Sequence, residues 1–254
     1  MKRVLVTNDD GILALGIQTL VEALQHLAIV TVVAPEREKS ATGHSITVHC
    51  PLRVDQLEIS GAAGGAWAVD GTPSDCVKLA IQSLMTEPPD LVVSGVNRGG
   101  NLGTDILYSG TVSAAIEGII NGIPAIAVSL NTFVQPDYSY AAKFTSKLVD
   151  YLFTNKLTVD TLLNVNIPAI PESEVKGVAI TKLGNRKYDN LFDRRTDPRG
   201  KFYFWMGGKV VDVPNDADSD VAALERGEVS VTPIHFDLTN YRIIDEVKKW
   251  GLQP

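Results

Sequence analysis

The sequence predicts an α/β sandwich built on a mostly parallel sheet, and three observations carry that expectation. Short Val-rich apolar runs recur along the chain: "RVLVT" (3–7), "AIVTVVAP" (28–35), "PPDLVVSGVN" (88–97), "IPAIAVSL" (123–130) and "TLLNVNIP" (161–168). Runs this continuous, without polar alternation, are the pattern of strands buried on both faces. Segments of helical apolar period alternate with them, which favours parallel strands joined by right-handed crossovers. Polar residues bunch where the runs stop, and that is where an open parallel sheet binds its ligand.

Taken in order, the strand at 3–7 is followed by "GIQTLVEALQHL" (16–27), whose Ile17, Leu20, Val21, Leu24 and Leu27 share one helix face. The strand at 28–35 stops at Pro35. "TVHCPLRVDQLEI" (47–59) and "AWAVDG" (66–71) read as strands with turns between them. "GTPSDCVKLAIQSL" (71–84) starts a helix with Thr72 as N-cap and Pro73 at the first helical position. "SGTVSAAIEGIING" (109–122) and "YSYAAKFTSKLVDYLF" (138–153) are further helices, each followed by a strand. Beyond about residue 180, "GNRKYDNLFDRRTDPRGKFYFWMGG" (184–208) mixes charge, turn residues and aromatics without helical period. Such a segment makes an extended hairpin or arm. With Phe202, Tyr203, Phe204 and Trp205 together it either packs on a partner subunit or covers its own core. A short helix and a strand follow in 220–240, then a terminal helix at "YRIIDEVKKW" (241–250). The chain is read as one domain, 1–254, with a core over about 1–180 and an oligomerisation arm and helix over about 181–254.

The 254 residues are 44% hydrophobic and carry 23 basic against 30 acidic side chains, a net charge of −7. That sign excludes a general binder of phosphate backbones, which carries a basic face. Attraction of an anionic substrate then has to be local, from a metal ion or a helix N-terminus. Cys50 and Cys76 have no metal-type spacing and read as two buried thiols of a reducing compartment. Asp9 and Asp10 interrupt "MKRVLV" before a signal-peptide core develops, and Gln18, Glu22, Gln25 and His26 exclude a membrane span at 13–33. A cytoplasmic protein is expected.

The rim rule collects Asn8, Asp9 and Asp10 after the first strand, Glu36, Arg37, Ser40, Thr42 and His44 after the second, and Asn97 with the Gly-rich loop "NRGGNLGTDILYSGT" (97–111) after the third of the central runs. A lone "DDG" commonly makes a turn or cap in which Asp10 accepts backbone N–H bonds. Beside Ser40 and Asn97, the pair Asp9 and Asp10 forms a set of hard oxygen donors suited to one divalent cation, Mg²⁺ or Mn²⁺, and not to Zn²⁺. In the Gly-rich loop, Asn101, Gly103, Ser109, Gly110 and Thr111 are candidate phosphate-binding residues, the last three opening a helix whose N-terminus favours anions. No Lys follows the glycines, so the loop is not a Walker A motif. A metal beside a phosphate cradle points to phosphoryl hydrolysis, with Asp9 or Asp10 as candidate catalytic proton acceptor. Thr42 and His44 mark a substrate loop; His44 reads more readily as a hydrogen-bonding residue than as an acid, and His235 as structural.

"VLVTNDDGILALGI", "VVAPEREKSATGHSIT", "PLRV", "GTPSDCVKLA", "PDLVVSGVNRGGNLGTDILYSGTVSAAIEG", "IPAIAVSL" and "VSVTPIHFDLT" stand in one order over nearly the whole chain. In this the sequence resembles the survival protein E (SurE) family of nucleotidases. The resemblance implies a divalent-metal-dependent phosphatase acting on nucleoside 5′- and often 3′-monophosphates, with metal ligands at Asp9, Asp10, Ser40 and Asn97. It also implies a Rossmann-like three-layer sandwich, and a homodimer or homotetramer that exchanges C-terminal elements. Two rivals stay open: an aspartyl-phosphate phosphotransferase, which normally needs Asp-x-Asp rather than adjacent aspartates, and a non-catalytic nucleotide- or phosphate-binding module. No nucleic-acid duplex or membrane is expected as partner.

Overall fold

The computed structural model describes all residues except 135, 156, 159, 190, 191, 253 and 254. The N-terminal half runs β1 (Arg3–Thr7), α1 (Leu15–Leu24), β2 (Ile29–Pro35), β3 (Val54–Leu57), β4 (Ala66–Val69), α2 (Pro73–Leu79), β5 (Leu91–Arg98) and α3 (Gly110–Ile120). It continues with β6 (Ala125–Asn131), α4 (Ser139–Thr154), β7 (Leu162–Pro168) and β8 (Val178–Ile180). The C-terminal part holds β9 (Lys187–Asp189), β10 (Phe192–Thr196), β11 (Phe202–Met206), β12 (Lys209–Val211), α5 (Asp220–Glu225), β13 (Val229–Ile234) and α6 (Ile244–Lys248).

Nine strands form one sheet in the order β3-β4-β2-β1-β5-β6-β7-β13-β8. The pairings from β4 through β7 are parallel, while β3 and β13 run antiparallel to β4 and β7. Side chains of each strand alternate between two buried layers. Val4 and Val6 of β1 join Leu20 and Leu24 of α1 and Val149 of α4 on one face. Leu5 joins Val77 of α2 and Val112 and Ala115 of α3 on the other. The result is the expected three-layer α/β sandwich. Fully burying one such Leu or Val contributes about 1.5–3 kcal/mol.

Local chemistry fixes the helix starts that matter for the site. Thr72 caps α2: its side chain accepts from the Asp75 N–H while Asp75 accepts from the Thr72 N–H, with Pro73 at the first helical position. Ser109 caps α3, its Oγ accepting from Val112 N–H at 3.1 Å. In β5 the pairing with β6 shifts between Ser94 and Asn97. Gly95 makes that irregularity, with φ of 144° and a position where a Cβ would lie 2.4 Å from the Val128 carbonyl oxygen. A bulge of this kind re-aims the side chains after it, and here the next polar residue is Asn97.

Four expectations are amended. The segment 47–59 is a strand only over Val54–Leu57. Its Cys50 is exposed, and only Cys76 is a buried thiol. Residues past 180 are not all appendage, because β13 returns between β7 and β8 with Val229 and Val231 buried. The aromatic segment does not cover its own core: β10 pairs with β11 and β9 with β12 as a hairpin arm, and every residue of Phe202–Met206 is exposed. Among the described residues no helix is long and apolar enough to cross a membrane.

Candidate active site

The turn after β1 explains the adjacent aspartates. Asn8, buried, donates its side-chain amide to the Gly11 carbonyl at 2.8 Å and closes the turn. Gly11 has φ of 101°, and a Cβ there would press on the Arg37 and Glu38 backbone at 3.2–3.3 Å. Asn8 therefore does the turn-making that a bare "DDG" suggests for an aspartate, and both carboxylates are left to face other elements.

Asp9 is 4% exposed, and its Oδ1 accepts from the Thr111 hydroxyl at 2.6 Å. Gly110 lies so close that a Cβ there would meet the Asp9 Cβ at 2.7 Å and Oδ2 at 2.8 Å. The first turn of α3 thus rests directly on this carboxylate. Asp10 turns to β5, its Oδ2 accepting the Arg98 N–H at 3.0 Å. Burial pushes the Asp9 carboxyl up to about 6, the Thr111 hydrogen bond opposing and the Asp10 charge adding to the rise. Burial likewise raises Asp10, with the Arg98 N–H opposing and the Glu38 charge adding. Burial and the Asp10 charge also hold the neighbouring Tyr138 phenol protonated, pushed up to about 12. Among the described residues neither aspartate has an ion-pair partner within 4.0 Å.

The loop after β2 meets this pair through Lys39, whose N–H donates to the Asp9 carbonyl at 2.7 Å. Ser40, next along, is exposed and gives its one hydroxyl proton to Glu38 Oε1 at 2.7 Å. The Asn97 amide nitrogen donates to the Gly99 carbonyl at 2.8 Å. Hydrogen bonds within the chain thus orient all four side chains: Asp9 by Thr111, Asp10 by the Arg98 N–H, Ser40 by Glu38 and Asn97 by the Gly99 carbonyl. Hard oxygen donors of this kind, with two carboxylates desolvated by burial among them, fit a divalent cation.

The other residues named from sequence divide. Ser109 and Gly110 stay at the α3 N-terminus, while the Thr111 hydroxyl is committed to Asp9. Asn101 faces inward: its N–H donates to Asn166 Oδ1 and its amide to Ser129 Oγ, both at 2.8 Å, and its carbonyl accepts from Asn164 and Asn166 at 2.9 Å. The Gly103 N–H donates to Asp220 Oδ2 at 2.8 Å. Both residues thus shape the loop, with their donors turned away from the rim. Thr42 closes its own loop on the Lys39 carbonyl at 3.0 Å. His44 hydrogen-bonds Glu117 Oε2 at 2.9 Å, and the His235 ring accepts the Asp237 N–H at 3.1 Å.

Sequence reading passed over Glu117, Asp75 and Asp220, three buried carboxylates that tie the site's loops to helices. Signals for two of them exist. Glu117 is a lone charge in the apolar run "SAAIEGII", and Asp75 stands three residues after the Thr72 cap, the capping-box spacing.

Comparison with known proteins identifies the family. Residues 4–190 match the family described as Survival protein SurE. The chain is 55% identical over 248 residues to the 5′-nucleotidase SurE of Heliobacterium modesticaldum, covering 98% of this chain and 91% of that protein. It is 50% identical over 254 residues to the 5′-nucleotidase SurE of Symbiobacterium thermophilum, covering 99% of each. Among solved structures, the SurE protein of Aquifex aeolicus superposes with a TM-score of 0.86 at 40% identity, covering 98% of this chain and all of that one. A match over that much of the chain, at 50–55% identity to these relatives, establishes that the chain belongs to the SurE family.

Proposed function

We propose that the chain hydrolyses nucleoside 5′-monophosphates, and 3′-monophosphates with them, to nucleoside and inorganic phosphate. The observation that carries the reading is the pair Asp9 and Asp10, both desolvated by burial and neither in a salt bridge among the described residues, beside the N-terminus of an eleven-residue helix. Asp9, Asp10, Ser40 and Asn97 would hold one Mg²⁺ or Mn²⁺. When bound, the cation would supply neutralisation of phosphoryl charge and acidification of water.

The chain's own residues do the rest. Thr111 and the Arg98 N–H fix the two carboxylates in place. The α3 N-terminus, with the Ser109 hydroxyl and the Gly110 N–H, favours the dianionic phosphoryl group. Asp9 or Asp10 takes a proton of the attacking water as its oxygen bonds to phosphorus and the ester P–O bond breaks; the departing ester oxygen takes a proton from solvent and becomes the nucleoside hydroxyl.

The exposed arm, with Phe192, Phe202, Phe204, Trp205 and Met206 in solvent, supports a homodimer or homotetramer built through the C-terminal region. The free thiols, one of them exposed, support a reducing cytoplasm. The test is phosphate release from 5′- and 3′-nucleoside monophosphates with Mg²⁺, with Mn²⁺ and with EDTA. Release that needs metal and disappears in Asp9→Asn is expected. Acid-stable phosphate bound to protein would point instead to an aspartyl-phosphate enzyme, and tight nucleotide binding without release to a binding module.

A further inference from the structure

Residues 36–47 join β2 to the rest of the sheet with no helix or strand of their own, yet they include Ser40. Ala41, one residue on, has φ of 57°. A non-glycine residue in that region persists only where its surroundings over-determine it. Two buried carboxylates supply the surroundings. Asp75 accepts the Thr47 N–H at 2.8 Å and the Thr47 hydroxyl at 2.6 Å, closing the far end of the loop. Glu117 accepts from His44 Nε2 at 2.9 Å, four residues from Ser40. Beside that contact, the Gly43 N–H donates to the Tyr108 carbonyl at 3.1 Å, just ahead of the Ser109 cap.

Glu117 lies inside α3, 3% exposed, on the helix whose first turn supports Asp9. Its Oε1 accepts from Lys78 at 3.1 Å and from Asn121 at 3.0 Å, and its Oε2 from His44. Burial alone would raise this carboxyl, but the hydrogen bonds from His44, Lys78 and Asn121 outweigh it and hold it below the usual range. Burying a charge on an apolar helix face is costly and contributes little net stability compared with an apolar side chain of the same volume. What this carboxylate does provide is a rigid link from α3 to the Ser40 loop.

We infer that Glu117 is a positioning residue which, through His44, locks the Ser40 loop against α3, so that Ser40 and Asp9 are held in register for the cation. The inference rests on the metal reading above, with Ser40 as ligand. It assigns His44 a task in loop placement and none in proton transfer.

The experiment measures Mn²⁺ binding to EDTA-stripped protein by calorimetry, and amide hydrogen exchange of residues 37–48 without metal. His44→Ala is expected to weaken Mn²⁺ binding by about tenfold and to speed exchange in the loop. His44→Gln puts an amide nitrogen where Nε2 stands and is expected to restore binding; His44→Asn is too short to reach Glu117 and is expected not to. Adding Glu117→Ala to His44→Ala is expected to weaken binding no further, since both remove one contact. If Glu117→Ala does not fold, the His44 series, made on a loop side chain, carries the test alone. Lys78→Met removes another partner of Glu117 without touching the loop and is expected to leave Mn²⁺ affinity unchanged. The inference is overturned if His44→Ala binds Mn²⁺ like the unaltered protein, or if Lys78→Met weakens binding as much as His44→Ala. No Mn²⁺ binding by the unaltered protein would take down the metal reading and this inference together.

Discussion

The rim of the sheet and the hairpin arm differ in which groups they bury and which they expose. At the rim, a carboxylate is buried: Asp9 is 4% exposed, and burial with the Asp10 charge pushes its carboxyl up to about 6. On the arm, large apolar groups are exposed: Trp205 is 61% exposed and Met206 72%. The rim is held by contacts from four separate segments. The arm is held mainly by its own β9–β12 and β10–β11 pairing and by a clamp at its root, where Asp105 meets Arg186 at 3.1 Å and accepts from the Tyr188 hydroxyl. On the proposed reading, the rim would hold one small ion and so needs rigid donors, whereas the arm would meet a second copy and needs only an open face. The contrast predicts that substitutions at the rim act on chemistry and local charge, and those on the arm act on assembly.

The largest effect is expected from Asp9→Asn, which should lower metal-dependent phosphate release by at least about 10²-fold while circular dichroism stays unchanged. Loss of activity accompanied by loss of fold would break the contrast.

The same substitution should act in the other direction on stability. The Asp9 carboxyl sits near 6 in the folded protein against 3.8 unfolded. Between those values the folded state binds more protons, so ionisation destabilises it, by about 3 kcal/mol once pH exceeds both values. In EDTA, Asp9→Asn should therefore melt higher than the unaltered protein at pH 7.5, with the gap closing as pH falls toward 4. A gap independent of pH would remove buried charge as its cause.

Next comes Asp220→Asn. Asp220 is fully buried and accepts N–H bonds from Gly103 at 2.8 Å, Gly184 at 2.7 Å and Val221 at 2.8 Å. One oxygen replaced by a donor leaves N–H groups unpaired at a cost of about 1–3 kcal/mol, readable in urea unfolding. Because this residue ties the site loop to the segment ahead of the arm, it samples the junction of the two regions. The smallest effect on monomer stability belongs to Trp205→Ser, within about 0.5 kcal/mol, but sedimentation should show the assembled protein shifting toward monomer. A large loss of stability in a chain that is already monomeric would mean that the arm packs on its own body.

The legibility of the two regions in the sequence differs for a physical reason. Apolar runs that end in polar residues are local signals, so the parallel sheet, its helices and the gathering of Asp9, Asp10, Ser40 and Asn97 near one rim can be read directly. Asn101 and Gly103 show the limit. Which way their donors face is decided by Asn166, 65 positions along, and by Asp220, 117 positions along. Composition near residue 101 contains nothing of either. The aromatic run at 202–205 marks an unusual surface, but its outward direction is set by pairing with Phe192–Thr196 in a two-stranded hairpin outside the main sheet. Cys50 was misjudged for a similar reason: residue type favours burial, while its segment runs outside the sheet as an exposed connection.

The return of β13 to the sheet has a consequence for how the molecule is made. Its antiparallel partner β7 ends at Pro168, yet β13 does not begin until Val229. During synthesis β7 stands at the sheet's margin with open hydrogen-bonding groups while the entire aromatic hairpin emerges. A chain stopped before Val229 would carry a raw sheet edge and a sticky arm at once. The last strand therefore acts as a seal, and a nascent chain lacking it should be the species that chaperones hold longest.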